Sequence, residues 1–142
     1  MTIKILLRIA SILMLTHLIG HSFGQNGWKK TKDPILKEVG KHMMGPKFPN
    51  MGVFRSMGDY FDGYGYAASV SMSLFVIVLW LASCAITPAN NFLNNVVLVL
   101  GIAFLVMSII EFLYFFPLAA VTTLLACILV FISWYMLINN KA

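Results

Sequence analysis

Charge is scarce in this sequence. Only 11% of its 142 residues are charged, and five are acidic. A soluble domain carries about 25% charged residues. With 60% hydrophobic residues and a mean hydropathy of +0.86, the chain could not cover its apolar surface in water. Its solvent is therefore expected to be a bilayer. Cysteine is scarce too. Cys84 and Cys127 both sit in apolar segments, outside any CxxC or Cys/His cluster, so each reads as a small buried hydrophobe rather than half of a disulfide. There is no nucleophile elbow, phosphate loop, dinucleotide fingerprint or HExxH motif. Nothing resembles a base-reading module, and no nucleic-acid partner is expected. No cofactor is implied either.

Four long apolar segments account for most of the chain. The expected fold is all-α: a single membrane domain over 1–142, built as a bundle of four transmembrane helices at about 3–24, 56–87, 92–115 and 117–138. The stretch from Phe92 to Ile138 holds one charge, Glu111. As one helix it would be about 70 Å long, more than twice the hydrocarbon thickness. Pro117, after Tyr114, Phe115 and Phe116, divides it, because proline suits the first position of a new helix and aromatics suit the interface. Thr87-Pro88 is the expected stop of the second span, followed by the uncharged turn PANNFLNN. Trp134 and Tyr135 anchor the far end, and Asn139, Asn140 and Lys141 leave the membrane.

The first segment has two readings. Lys4 and Arg8, an apolar middle and Ser22-Phe23-Gly24 match a cleaved signal peptide. His17 and His21 are foreign to such a peptide and expected of a retained span with a polar seam, which is the reading adopted.

Between residues 25 and 54 lies the one long polar region, with Lys29, Lys30, Lys32, Lys37, Lys41 and Lys47. Asp33-Pro34 is a helix start, and Ile35, Leu36, Val39 and Met43 recur at helical spacing. The expected element is a short amphipathic helix at about 34–44, either on the membrane surface with Lys29, Lys30, Lys32, Lys37 and Lys41 toward anionic lipids, or packed as a solvated loop helix. Gly45-Pro46 ends it, and 46–53 reads as a turn-rich connector. Positive-inside counting puts this loop in the cytoplasm, while the signal-like start puts the N-terminus there.

The candidate site grows from Arg55–Ser73. Arg55, Asp59, Asp62, Tyr66, Ser69 and Ser73 follow one another at steps of four, three, four, three and four, one stripe of one helix. Ser56 and Asp59 also match a capping box, and Arg55 and Asp59 are spaced to pair on the helix surface. Chain direction through four spans brings His17 and His21, Asp59 and Asp62, Glu111, and Thr122 or Thr123 to one membrane depth. Each unpaired ionisable group would cost several kcal/mol in hydrocarbon, so convergence is the cheap arrangement. Asn94, Gly101, Ser108 and Glu111 share a seam on the third helix; Thr122 or Thr123, Ala126 and Ser133 share one on the fourth.

The candidate ligand-binding cluster is therefore His17, His21, Arg55, Asp59, Asp62, Tyr66 and Glu111, with no catalytic or metal role assigned. His17 and His21, an i, i+4 pair, are the nearest approach to a metal site. Hydrogen-bonded histidines closing a polar cluster are the plainer explanation. The leading functional reading is a non-enzymatic accessory subunit, or a lipid- or small-molecule-binding membrane protein with other membrane proteins as partners. The alternative is a membrane enzyme or proton-coupled carrier using His17, His21 and Glu111.

THLIGHSFG in the first helix and FRSMGDYFDGYGYA at the start of the second carry a resemblance to small DoxX-like bacterial membrane proteins. It implies four helices and a place in the bacterial inner membrane, and it implies no particular activity. A more distant similarity, to sterol-isomerase-like proteins with acidic residues and histidine in a membrane pocket, fits the helix count poorly.

Overall fold

The computed structural model describes residues 2–87 and 91–139. Its elements in order are α1 (Ile3–Gly27), a 3₁₀ turn (Trp28–Lys30), α2 (Pro34–Met44), β1 (Phe48–Asn50), β2 (Val53–Arg55), α3 (Met57–Cys84), α4 (Asn91–Tyr114) and α5 (Pro117–Asn139). The fold is all-α apart from one small hairpin. Among the described residues, four helices are long and apolar enough to cross a membrane: Ile3–Lys30 (α1 with its 3₁₀ turn), Met57–Cys84, Asn91–Tyr114 and Pro117–Asn139. Helices suit that solvent because they satisfy every backbone N–H and C=O internally. Pro88, Asn140 and Lys141, expected to bound the spans, lie outside the described residues.

The chain divides into two compact units, Met1–Leu18 with Met72–Ala142, and Ile19–Ser71. In the first, Leu7, Ala10 and Met14 of α1, Leu79 of α3, Val97 and Phe104 of α4, and Ala126 and Val130 of α5 form a buried core. Phe75 meets Phe104 edge to face at 5.2 Å. The Ser11 hydroxyl donates to the Val76 carbonyl at 2.9 Å, tying α1 to α3.

Helices α4 and α5 are a hairpin turned at Pro117, which occupies the first position of α5. They approach at Gly101. A Cβ there would lie 3.0 Å from the Phe131 ring, and the Gly101 carbonyl accepts from the Cys127 thiol at 3.4 Å. Gly101→Val should therefore destabilise the hairpin by about 1–3 kcal/mol, the usual cost of overpacking. Detergent-titrated unfolding of the purified protein measures it, and adding Phe131→Ala should recover part of the loss.

In the second unit, the Asp33 carboxylate accepts from the backbone N–H of Ile35 and Leu36, at 2.9 and 3.0 Å, ahead of Pro34. This is the expected cap of α2. The connector after α2 is more ordered than a string of turns. Phe48, Pro49 and Asn50 pair with Arg55, Phe54 and Val53 in an antiparallel hairpin. Its two loop residues, Met51 and Gly52, both have positive φ (49° and 84°), as a two-residue hairpin turn requires. Phe48 stacks on Tyr60, and the Asn50 side-chain amide donates to the Tyr60 hydroxyl at 2.6 Å.

Three expectations are corrected. Cys84 is exposed, and only Cys127 is buried, because Cys84 ends α3 on its outer face. Arg55 lies in β2, outside the helix it was assigned to. It donates to the Phe54 carbonyl at 3.1 Å, while Asp59 is held by Ser56. Finally, α1 runs on past Gly24 to Gly27.

Candidate functional site: two polar centres in the helices

The first centre is built by α1, α4 and α5 within the first unit. His17 projects from α1 with its Nε2 3.5 Å from the Glu111 carboxylate of α4. Its other nitrogen, Nδ1, lies 2.9 Å from the Thr123 hydroxyl of α5. The side chains of His17 and Glu111 are only 8% and 6% exposed, and Thr123 is fully buried. One imidazole thus joins three helices. The roles of its nitrogens are complementary. With Nε2 protonated and facing the carboxylate, Nδ1 accepts from the threonine hydroxyl; in the imidazolium form both nitrogens donate. As imidazolium with carboxylate, or imidazole with carboxylic acid, the pair carries no net charge, which suits a low-dielectric setting.

The helices deliver these groups for local reasons. On α4 the buried face reads Asn94, Val97, Gly101, Phe104, Ser108 and Glu111, steps of three and four that keep small and polar residues on the inner stripe. On α5 the buried residues include Thr123, Ala126, Cys127, Val130 and Ser133. Thr122, the alternative to Thr123, turns back to the Leu118 carbonyl of its own helix at 2.7 Å.

The second centre lies within 19–71 and is organised by Asp62. Its Oδ1 accepts from the Trp28 indole N–H at 2.9 Å and from the Gln25 amide at 3.2 Å. Its Oδ2 takes the Lys29 ammonium. One turn further along α3, the Gly65 carbonyl accepts from His21 Nε2 at 3.0 Å. Gly65 is buried, and a Cβ there would collide with the Gln25 amide, so glycine is what lets this contact form. At the start of α3 the capping box closes as the sequence predicts. The Ser56 N–H donates to the Asp59 carboxylate at 2.9 Å, and the Asp59 N–H donates to the Ser56 hydroxyl at 3.1 Å.

Of the seven sequence-predicted residues, His17 and Glu111 meet directly. His21 and Asp62 each join α1 or its 3₁₀ turn to α3 inside the second unit. Asp59 is a helix cap, Tyr66 is exposed, and Arg55 stands on the hairpin. Gln25, Trp28 and Lys29 were missed as partners of Asp62. A signal for them exists: His21, Gln25, Trp28 and Lys29 continue an i, i+4, i+7, i+8 stripe, hidden by ending the helix at Gly24. Among the described residues, no group of three His, Cys, Asp or Glu side chains is placed to hold a metal ion. No family model matches the chain, and neither a curated protein nor a solved structure is significantly similar to it.

Proposed function

We propose that this chain is a non-enzymatic multi-pass protein of the bacterial inner membrane, related to the small DoxX-like proteins, that serves as an accessory subunit or lipid-binding protein. The observation that carries this reading is the direct pairing of His17 with both Glu111 and Thr123. Both ring nitrogens are engaged by the protein itself, as in a lock between helices. The lysine-rich loop contributes contact with anionic headgroups. Ile35, Leu36 and Val39 on α2 are exposed beside the exposed Lys37 and Lys41, the make-up of an interfacial helix. Lys29 is engaged by Asp62 and Lys41 by Glu38, so Lys30, Lys32 and Lys37 carry this role.

A second reading, a proton-coupled carrier or membrane enzyme, draws on the same pair, since buried ionisable groups within spans often serve proton relays. Mass spectrometry of the purified protein, with and without Glu111→Gln, separates the two. Glutamine preserves a hydrogen-bonding side chain beside His17. The variant is expected to fold and to retain the same co-purifying proteins and lipids, with no growth defect. A variant that keeps its fold and companions while its cells lose growth would overturn the non-enzymatic reading in favour of the second.

A further inference from the structure

Toward the N-terminus of α1 from His17, a cation pair stands without a carboxylate partner among the described residues. Lys4 and Arg8 are four residues apart on one face of α1. Glu111 is the one acidic residue of the first unit, and it meets His17. Among the described residues, neither cation makes an ion pair. The Arg8 guanidinium lies over the Trp80 ring, 4.7 Å from its centroid, and its Nε donates to the Ser83 hydroxyl at 3.4 Å. Those two contacts fix the group in place. The guanidinium also reaches the Cys84 thiol, a weak acceptor, and no carboxylate among the described residues holds the fork, which suits a phosphate.

Beside this pair is a cavity of about 510 Å³, lined by Lys4 and Ser83 together with Cys84 and Met136. Further along the same two helices lies a second, of about 230 Å³, lined by Ile12, Leu15, Ile77, Trp80 and Leu81 among others. On α1 the residues run Lys4, Arg8, Ser11, Leu15, in steps of four, three and four. On α3 they run Ile77, Trp80 or Leu81, Cys84, in steps of three or four. Each set is one stripe of one helix, so both cavities open along a single α1–α3 seam. From Lys4 to Ile12 the rise is about 12 Å. The seam is thus basic at the end of the span and apolar a short way inward. Its two ends match the two ends of one amphiphile.

We propose that the α1–α3 seam binds one anionic phospholipid. Lys4 and Arg8 take the phosphate at the outer cavity, and an acyl chain lies in the apolar groove between Ile12, Leu15 and Ile77. The α1 helix, of 25 residues, is longer than the hydrocarbon core, so Lys4 stands at headgroup level and Arg8, about 6 Å further in, reaches it through its long side chain. Trp80 supports the guanidinium from the apolar side, as a tryptophan near the interface can. The site uses none of the loop lysines and does not depend on the role of the His17–Glu111 pair.

Native mass spectrometry of the delipidated full-length protein, titrated with phosphatidylglycerol and with phosphatidylcholine of identical chains, tests this. Phosphatidylglycerol is expected to bind about ten-fold more tightly. Lys4 is exposed and makes no hydrogen bond among the described residues, so Lys4→Gln should leave the fold intact. It is expected to weaken phosphatidylglycerol about five-fold and phosphatidylcholine hardly at all. Ile12→Trp, which fills the groove, should weaken both lipids and preserve their ratio. Equal binding of the two lipids, or no effect of Lys4→Gln, would overturn the headgroup assignment. Complete displacement by excess inorganic phosphate, with Ile12→Trp silent, would make free phosphate the ligand and overturn the lipid.

Discussion

Glu111→Leu should lower the stability of the folded protein by about 2–3 kcal/mol. That lies below the 3–5 kcal/mol typical of breaking a buried ion pair in a soluble core, and above the roughly 0.6 kcal/mol average for a single hydrogen bond between membrane helices. The reason is the position of His17. Leucine would leave Nε2 facing an apolar side chain with water excluded, and an unpartnered buried polar group costs its desolvation free energy. Pairing the change with His17→Phe removes the stranded group, so the double variant should recover at least half of the loss. Glu111→Gln puts a hydrogen-bonding amide in the place of the carboxylate and should cost less than about 1 kcal/mol. Reversible unfolding in mixed micelles gives all four corners of the cycle. If Glu111→Leu were as stable as the parent protein, the pair would contribute nothing to holding α1 against α4. An intramembrane carboxylate kept at no structural advantage would then call for a chemical role.

The same centre shows which parts of the site were legible in the sequence. A polar residue inside a long apolar run has few places to go, so Asn94, Ser108 and Glu111 could be assigned to the inner stripe of α4 from spacing alone, and all are buried. Spacing could not choose between Thr122 and Thr123. Adjacent residues on a helix point about 100° apart, and the choice depends on where the histidine of another helix arrives. Arg55 shows the opposite problem. It fits the stripe by number, yet Ser56 can cap α3 only if the chain before it is non-helical. The capping box and the first member of the stripe were therefore competing expectations, and two satisfied backbone donors outweighed one exposed ion pair. The hairpin was hidden for a different reason. Its turn uses Met51 at positive φ, where asparagine or aspartate before glycine would have announced it. The Arg8–Ser83–Trp80 contact was illegible because membrane depth alone does not say which side chains of facing helices meet.

Asp62→Ala should have the second large effect, confined to the unit formed by 19–71. The substitution removes the acceptor of the Trp28 indole, the Gln25 amide and the Lys29 ammonium together. These three contributions differ in weight. Lys29 is about half exposed, and a solvent-screened pair of this kind contributes little. Trp28 packs its ring edge to face against Phe61, 5.1 Å between centroids, and Gln25 is buried. Their donors cannot turn to water without disturbing that packing, so losing their acceptor should cost about 2 kcal/mol. Asp62→Asn separates the terms, because its amide oxygen still accepts from Trp28 and Gln25 while the charge is gone. The expected order of damage is Asp62→Ala, then Asp62→Asn, with Lys29→Ala close to the asparagine variant. Hydrogen exchange of peptides covering 19–30 and 57–66 measures it, as faster exchange in the alanine variant with little change in 91–139. Should Lys29→Ala loosen the region as much as Asp62→Ala, the charge pair would be the main tie. In the arrangement described here, a carboxylate that receives an indole and a buried amide is first of all a hydrogen-bond hub, and the lysine is its solvent-facing cover.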